Sequence, residues 1–387
     1  MITPVLYSEV PAVDLKGRSI VTEYSNILII KPGAIGDLLH LTPVIRMLSR
    51  RFSNAKITLL VGSPLTAALF AHHPGVYETI VFDKTGTHST FRALVSLRRR
   101  LKESHYDLIL NFQRSNLKLW FLALAALTCR VLIYHKTRTR KVHAVINHLE
   151  TVYPLGIQPD DMHLDLFLSP ADEEYATKVI EAHSGPLIAM NPGASNRIKC
   201  WSPQRFAELA DRLSADLGAG VVIVGAQNER DLGDAICAGM QTAPVNLLGK
   251  TDLLQLGAIL KRCDVLVSGD TGPLHMATAV GTPAVALFGA IDPGRTGPVG
   301  EGHRVIRHEE LGCVPCNAKR CRNRRYLECM EMISVDEVFW AVAQILEERK
   351  SAFRISHKQC TNESFANNTQ FDLMTKIWSP TSDVLSG

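Results

Sequence analysis

Two short segments hold the residue types that could do chemistry. Lys31-Pro-Gly-Ala-Ile-Gly-Asp37-Leu-Leu-His40 and Ser268-Gly-Asp270-Thr-Gly272-Pro-Leu-His275 each join an apolar run to a helical pattern. In the first, Asp37 falls near the helix start. A carboxylate there can cap the free N–H groups of the first turn. It can equally act as a general base that takes the proton of an attacking hydroxyl. Gly33 and Gly36 leave room for another group to come close to the backbone. The spacing Gly-x-x-Gly-Asp differs from the Gly-x-Gly-x-x-Gly of dinucleotide sites, which counts against a nicotinamide-dependent oxidoreductase.

The second segment reads as an anion site. A helix start carries roughly half a positive charge and unpaired N–H donors, which suits a pyrophosphate. Gly272 keeps the approach open, Thr271 adds a hydroxyl, and Pro273 fits the first turn. An ordinary glycine-containing turn is the alternative, with His275 a buried packing residue one turn into the helix. Two further loops could join this site. Asn191-Pro-Gly-Ala-Ser195-Asn-Arg-Ile-Lys199-Cys-Trp201 offers a hydroxyl and two cations for phosphate. Gly225-Ala-Gln-Asn-Glu229 offers a carboxylate that could accept from ribose hydroxyls. Each charged residue, taken alone, also suits a solvated loop.

The elements that must position these residues alternate. Short apolar runs at 26–30, 56–61, 79–82, 106–110 and 130–134 are separated by helical periodicity over 37–51, 64–72, 89–102 and 115–127. A further helix is expected over 143–155, and 156–185 reads as a polar crossing segment. The alternation then restarts, with strands at 187–190, 220–224, 245–247, 264–267 and 283–288. Its helices fall at 203–217, 229–240, 252–262 and 272–280, and a closing helix at 335–348. Strand–helix alternation indicates parallel sheets with helices on both faces. The fold class expected is therefore α/β, with two Rossmann-like doubly wound domains facing a cleft. The division is a lead-in over 1–25, a first Rossmann-like domain over 26–170, a second over 171–350 and a tail over 351–387. Ligands of such sheets bind at the carboxyl ends of the strands.

Composition narrows the partners. A formal charge of +4 over 387 residues gives no sign of a nucleic-acid binder. The charge is unevenly spread: between Asp107 and Glu150 there is no acidic residue, while Arg114, Lys118, Arg130, Lys136, Arg138, Arg140 and Lys141 fall within the stretch. A one-sign block favours an anionic partner, a solvated basic face being the alternative. The most apolar stretch, Leu119 to Cys129, is far short of the roughly 20 residues a membrane-spanning helix needs. No secretory signal is legible, and nine cysteines, an odd count, fit a reducing cytoplasm. Cys313, Cys316, Cys321 and Cys329 have ligand types suited to a structural zinc. Reduced thiols or a disulfide are the alternatives, with five basic residues among them to stabilise thiolates.

Taken together, these segments resemble the heptosyltransferases of glycosyltransferase family nine. The matching motifs are Lys31 to His40, Asn191 to Ser195 with Lys199 and Trp201, Gly225 to Glu229, and Asp270 to His275 with Gly281-Thr-Pro283 and Phe288-Gly289. They extend over residues 26–348. The resemblance implies a GT-B fold, an ADP-heptose donor and a phosphorylated glycolipid acceptor in the lipopolysaccharide inner core. It implies inversion by direct displacement, with no cofactor required. It assigns Asp37 as base and Ser195 and Lys199 to the donor phosphates. Glu229 would hold the ribose, and Asp270, Thr271, Gly272 and His275 the sugar and pyrophosphate. The basic block, through Arg138, Arg140 and Lys141, would meet the acceptor at the inner-membrane surface, with the enzyme cytoplasmic and peripherally attached. Asn196 stands where some members carry a second hydroxyl. A GT-B enzyme using another nucleotide sugar, such as a UDP-sugar, and a non-catalytic nucleotide-binding protein of the same fold are the alternatives.

Overall fold

The computed structural model describes residues 23–113, 121–122, 130–134, 142–159, 161–180 and 183–351. Two wholly parallel sheets organise them. The first contains β1 (Asn26–Ile30), β2 (Lys56–Val61), β3 (Glu78–Val81), β4 (Leu108–Asn111) and β5 (Arg130–Ile133), in the order β3-β2-β1-β4-β5. Its helices are α1 (Ile35–Leu39), α2 (Thr42–Arg51), α3 (Pro64–Ala68), α4 (Phe91–Glu103) and α5 (Ala144–Glu150). Helix α6 (Pro170–Val179) follows the crossing segment.

The second sheet contains β6 (Leu187–Asn191), β7 (Gly220–Ile223), β8 (Val245–Asn246), β9 (Val265–Gly269), β10 (Ala284–Leu287) and β11 (Arg304–Ile306). Its order is β11-β10-β9-β6-β7-β8. Here the helices are α7 (Pro203–Leu217), α8 (Arg230–Gly239), α9 (Leu253–Arg262), α10 (Gly272–Ala279), α11 (Pro293–Thr296) and α12 (Glu328–Glu331), before a last helix over 335–351.

The strands are apolar runs because both of their faces are covered. Along β1, Ile27 and Ile29 enter one buried cluster and Leu28 and Ile30 another. The second of these clusters is roofed by Leu94, Leu97 and Leu101 of α4. In the second sheet, Ile188 and Met190 face α7 and the last helix, while Ala189 faces the cluster that also takes in α9 and α10. That cluster continues into Leu38, Leu41 and Val44 of the first lobe, so one apolar core spans both sheets.

Three expectations need correcting. The helix expected over 37–51 is two helices: α1 ends at Leu39, and α2 restarts at Thr42 with Pro43 in its first turn. Proline has no N–H to continue a helix but suits a new start, and Thr42 Oγ1 donates to Leu39 O at 2.8 Å across the break. The polar stretch 156–185 contains α6, announced by Ser169-Pro170 and begun by a capping box between Ser169 and Asp172. Strand β11 was not expected; its three residues are too few to show periodicity. Most of the helix expected over 115–127, the lead-in before residue 23 and the tail after residue 351 lie outside the described residues.

The crossing segment is fastened at both ends. Arg46 of α2 pairs with Asp161 and Asp165. On the other side, α6 lies along α9, where Lys261 pairs with Glu173 at 2.6 Å and Arg262 donates to Thr177 Oγ1 at 3.0 Å.

Candidate functional site

In each sheet the chain reverses its winding direction beside the first strand, between β1 and β4 and between β6 and β9. Open α/β sheets hold ligands at such switch points, beyond the carboxyl ends of the strands. Those ends are where the four marked segments emerge. Lys31 follows β1, Pro192 follows β6, Val224 follows β7 and Asp270 follows β9.

The two lobes meet through α1 and α10. Gly36 lies against the His275 ring: a Cβ at Gly36 would stand 3.0 Å from Nε2 and closer still to Cδ2. Ile35 covers Gly272 in the same way, at 3.2 Å from where a Cβ would be. The ring of His40 packs edge-on to that of His275, with centroids 4.3 Å apart. His143 adds a polar tie, donating from Nε2 to Gly297 O at 3.1 Å. The segment bearing Asp37 is thereby set beside the segment 270–275.

Asp37 is not a helix cap. Ala34 holds that position, with no side-chain oxygen to offer, and Asp37 stands three residues further on in the first turn. Its side chain is 54% exposed, and Oδ1 lies 3.7 Å from Nζ of Lys31, whose own side chain is only 8% exposed. A recess of about 230 Å³ is lined by Gly33 with Ser63, Lys84 and Gln113.

On the facing lobe, Asp270 is the hub. Lys199 Nζ donates to its Oδ2 at 2.6 Å and to its backbone oxygen at 3.2 Å. His275 Nε2 lies 3.7 Å from Oδ1. Burial alone would raise the Asp270 carboxyl, but the neighbouring His275 and the charge and bond of Lys199 outweigh it and hold the group below the usual carboxylate range. Asn191 locks the loops: its Nδ2 lies 2.9 Å from Thr271 Oγ1, 3.1 Å from Ser268 Oγ and 3.2 Å from Gly193 O. Thr271 precedes Gly272, the first residue of α10, so the free N–H groups of that turn border the same loops.

Ser195 is exposed in the loop after β6. Asn196 is structural: Oδ1 caps the turn 197–199 by accepting from Ile198 N at 3.2 Å, and Nδ2 donates to Lys319 O at 2.9 Å. A hydroxyl in its place could not make both bonds in this geometry. Glu229 Oε2 accepts from Ala226 N at 2.8 Å, and the carboxylate fills the space left by Gly193 and Gly225. Beside it opens a cavity of about 800 Å³, bounded by Arg197, Trp201, Leu232, Tyr326 and Met330. Asp37, Lys199, Glu229, Asp270, Thr271, Gly272 and His275 thus all border the carboxyl edges of the two sheets. Arg138, Arg140 and Lys141 lie outside the described residues.

Cys313, Cys316, Cys321 and Cys329 are free thiols, and burial followed by the three neighbouring thiols pushes Cys329 upward. Among the described residues, no group of three or more His, Cys, Asp or Glu side chains is arranged to hold a metal. From the same segment, Tyr326 and Leu327 wall the larger cavity. Sequence reasoning passed over Lys31, His148, Asn191 and Ser268 as side chains of the site. Lys31 and Asn191 could have been found from their place at the end of a strand. His148, inside a helix, gives no local signal.

The model of glycosyltransferase family 9 (heptosyltransferase) matches residues 94–327. Lipopolysaccharide heptosyltransferase 3 of Escherichia coli K12 is 27% identical over 343 residues, which cover 81% of this chain and 96% of that protein. Among solved structures, a family 9 glycosyltransferase of Veillonella parvula superposes with a TM-score of 0.75 at 22% identity, covering 84% of this chain and 98% of that one. The E. coli heptosyltransferase WaaC, solved with ADP, gives a TM-score of 0.62 at 20% identity, covering 84% and 99%. These two likenesses are of fold.

Proposed function

The chain belongs to glycosyltransferase family 9, the heptosyltransferases, and on that premise we propose that it moves a heptosyl group from ADP-heptose to an inner-core lipopolysaccharide acceptor with inversion. Asp37 takes the proton of the acceptor hydroxyl. The oxygen attacks the anomeric carbon as the bond to the diphosphate breaks, and ADP departs with its bonding electrons. Lys199 and the N–H groups at the start of α10 stabilise the charge that builds on the departing phosphate. Ser195 and Thr271 hold phosphate oxygens, and Glu229 receives the ribose hydroxyls. Asp270 and His275, with Gly272 giving access, line the sugar and pyrophosphate. No cofactor is required in this scheme.

The observation that carries this reading is the seam between Gly36 and His275. It brings an exposed carboxylate of one lobe beside a lysine–aspartate–histidine group and a helix N-terminus of the other. The relatives' names and the ADP in WaaC support the choice of donor and acceptor class. The acceptor's anionic groups meet the basic block that includes Arg138, Arg140 and Lys141. Among the described residues no helix is long and apolar enough to cross a membrane, and the enzyme is proposed to work in the cytoplasm, lying against the inner-membrane surface by charge.

A thermal-shift panel of ADP-heptose, UDP- and GDP-sugars and NAD, followed by a transfer assay on inner-core acceptor, tests the proposal. A ligand that binds only the folded state raises its apparent stability by mass action. ADP-heptose should give the largest shift and an inverted product. A larger shift with a UDP-sugar would replace the donor, and binding without transfer would leave a nucleotide-binding protein.

A further inference from the structure

A buried ammonium is costly unless its surroundings compensate it, so where it points needs a reason. Lys31 continues β1 beyond Ile30, its backbone N–H donating to Leu60 O at 3.0 Å. Its side chain runs inward, and Nζ lies 3.4 Å from His148 Nε2 and 5.7 Å from the centre of the Tyr134 ring. On its outer side stands Asp37 Oδ1, at 3.7 Å.

The state of His148 follows from its partners. Nδ1 lies 3.2 Å from His40 O, and a carbonyl only accepts, so Nδ1 carries the proton. Burial first, and the Lys31 charge second, push the imidazole down to about 3, so the ring is neutral across the working range. Its Nε2 lone pair is therefore available to the ammonium. Phe112 and Tyr134 hold the ring, with centroids at 5.2 Å in each case. Gly33 completes the arrangement: a Cβ there would stand 2.9 Å from Asp37 Cβ and 3.3 Å from both Asp37 Oδ2 and Lys31 Cε. The bare backbone is what lets the lysine and the aspartate sit side by side.

We infer that Lys31, seated by His148, is a positioning residue that holds the Asp37 carboxylate toward the acceptor hydroxyl. The inference rests on the reading of Asp37 as the base. Lys31 draws Oδ1 toward the strand end and leaves Oδ2 beside the bare backbone of Gly33. His148 keeps the ammonium from swinging out to solvent or to the donor phosphates, where it would no longer orient the base. Near-attack geometry is sensitive to shifts of this kind.

The test uses the full-length enzyme, ADP-heptose and inner-core acceptor. Lys31→Met should lower kcat by about 10–100-fold, while the acceptor KM and the donor Kd stay within roughly three-fold of wild type. Lys31→Arg should recover part of the loss. His148→Leu should reproduce the kcat defect, and His148→Gln, whose amide oxygen reaches about as far as Nε2, should restore activity to within roughly three-fold. A kcat for Lys31→Met within about two-fold of wild type overturns the inference. So does equal damage from His148→Leu and His148→Gln, or a loss confined to KM and Kd. Asp37→Asn is assayed in parallel. Unchanged turnover there retires the base and this inference with it; lost turnover there alongside an active Lys31→Met retires Lys31 alone.

Discussion

Gly36 and His275 touch across the two lobes, backbone against imidazole, with no space for a methyl group between them. Helix α1 can approach α10 only because position 36 has no side chain. Gly36→Ala must push the helices apart or displace the ring that neighbours Asp270. Since displacements of about 1 Å can cost on the order of 10²-fold in rate, kcat should fall steeply. ADP binding, which is proposed to rest on the second lobe, should change less than kcat. Equal turnover by wild type and Gly36→Ala would show that the seam does not set the catalytic geometry.

Asp37→Ala should remove transfer and spare donor affinity. A positioned general base contributes about 10²–10⁴-fold, so the loss should fall in that range. Asp37 makes no cap bond and is half exposed but stands beside the buried Lys31 ammonium, so the melting temperature should fall only modestly. Wild-type turnover in this variant would rule out the carboxylate as base.

Lys199→Ala should weaken ADP binding and also lower stability. Hydrogen bonds to charged groups are worth about 1.5–3 kcal/mol, which corresponds to roughly 10–100-fold in affinity. The same change leaves Asp270, which is buried, without its ammonium, so its carboxyl should rise from its depressed value. Titration calorimetry with ADP reads the first effect and thermal melts the second. Unaltered ADP affinity would take Lys199 out of the donor site.

Stability should fall as the pH drops below about 6.5. Burial lowers His40 well below its ordinary value, His73 to about 4 and His148 to about 3, and it also lowers His143 and His303. Between those values and 6.5 the unfolded chain binds protons that the folded chain refuses, so each step down in pH favours unfolding. The histidine contribution is complete above 6.5 and is lost progressively toward pH 3. Protonation would also place like charges on His40 and His143, whose rings adjoin at the lobe seam. Melting temperatures measured from pH 8 to pH 4 should be flat at first and then decline. A curve that stays flat down to pH 5 would contradict the burial of these rings.

Much of this molecule is legible in its sequence, and the reason is burial. Strands covered on both faces must be apolar runs, and β1, β2 and β9 stand out for that cause. The loops that bear Asp37, Lys199 and Asp270 are legible because strand-to-helix turns at carboxyl edges need glycine, and because polar side chains cluster where ligands bind. Helix α6 was hidden by its polarity: only Ala176 among its residues is buried, so it has little apolar stripe to read. The break at His40 and Leu41 was hidden because apolar spacing continues across it. The partnership of Lys31 with His148 joins residues 117 positions apart and cannot be read from either neighbourhood. The same holds for Asn196, which reads as a substituted hydroxyl and proves to be a bracket to Lys319.

The apolar core that runs unbroken from α2 to α10 has a thermodynamic consequence. Neither lobe can lose its packing without exposing oily surface on its neighbour, so heating should melt both in one transition. In calorimetry the van't Hoff and calorimetric enthalpies should coincide, where two separately stable halves would give two peaks.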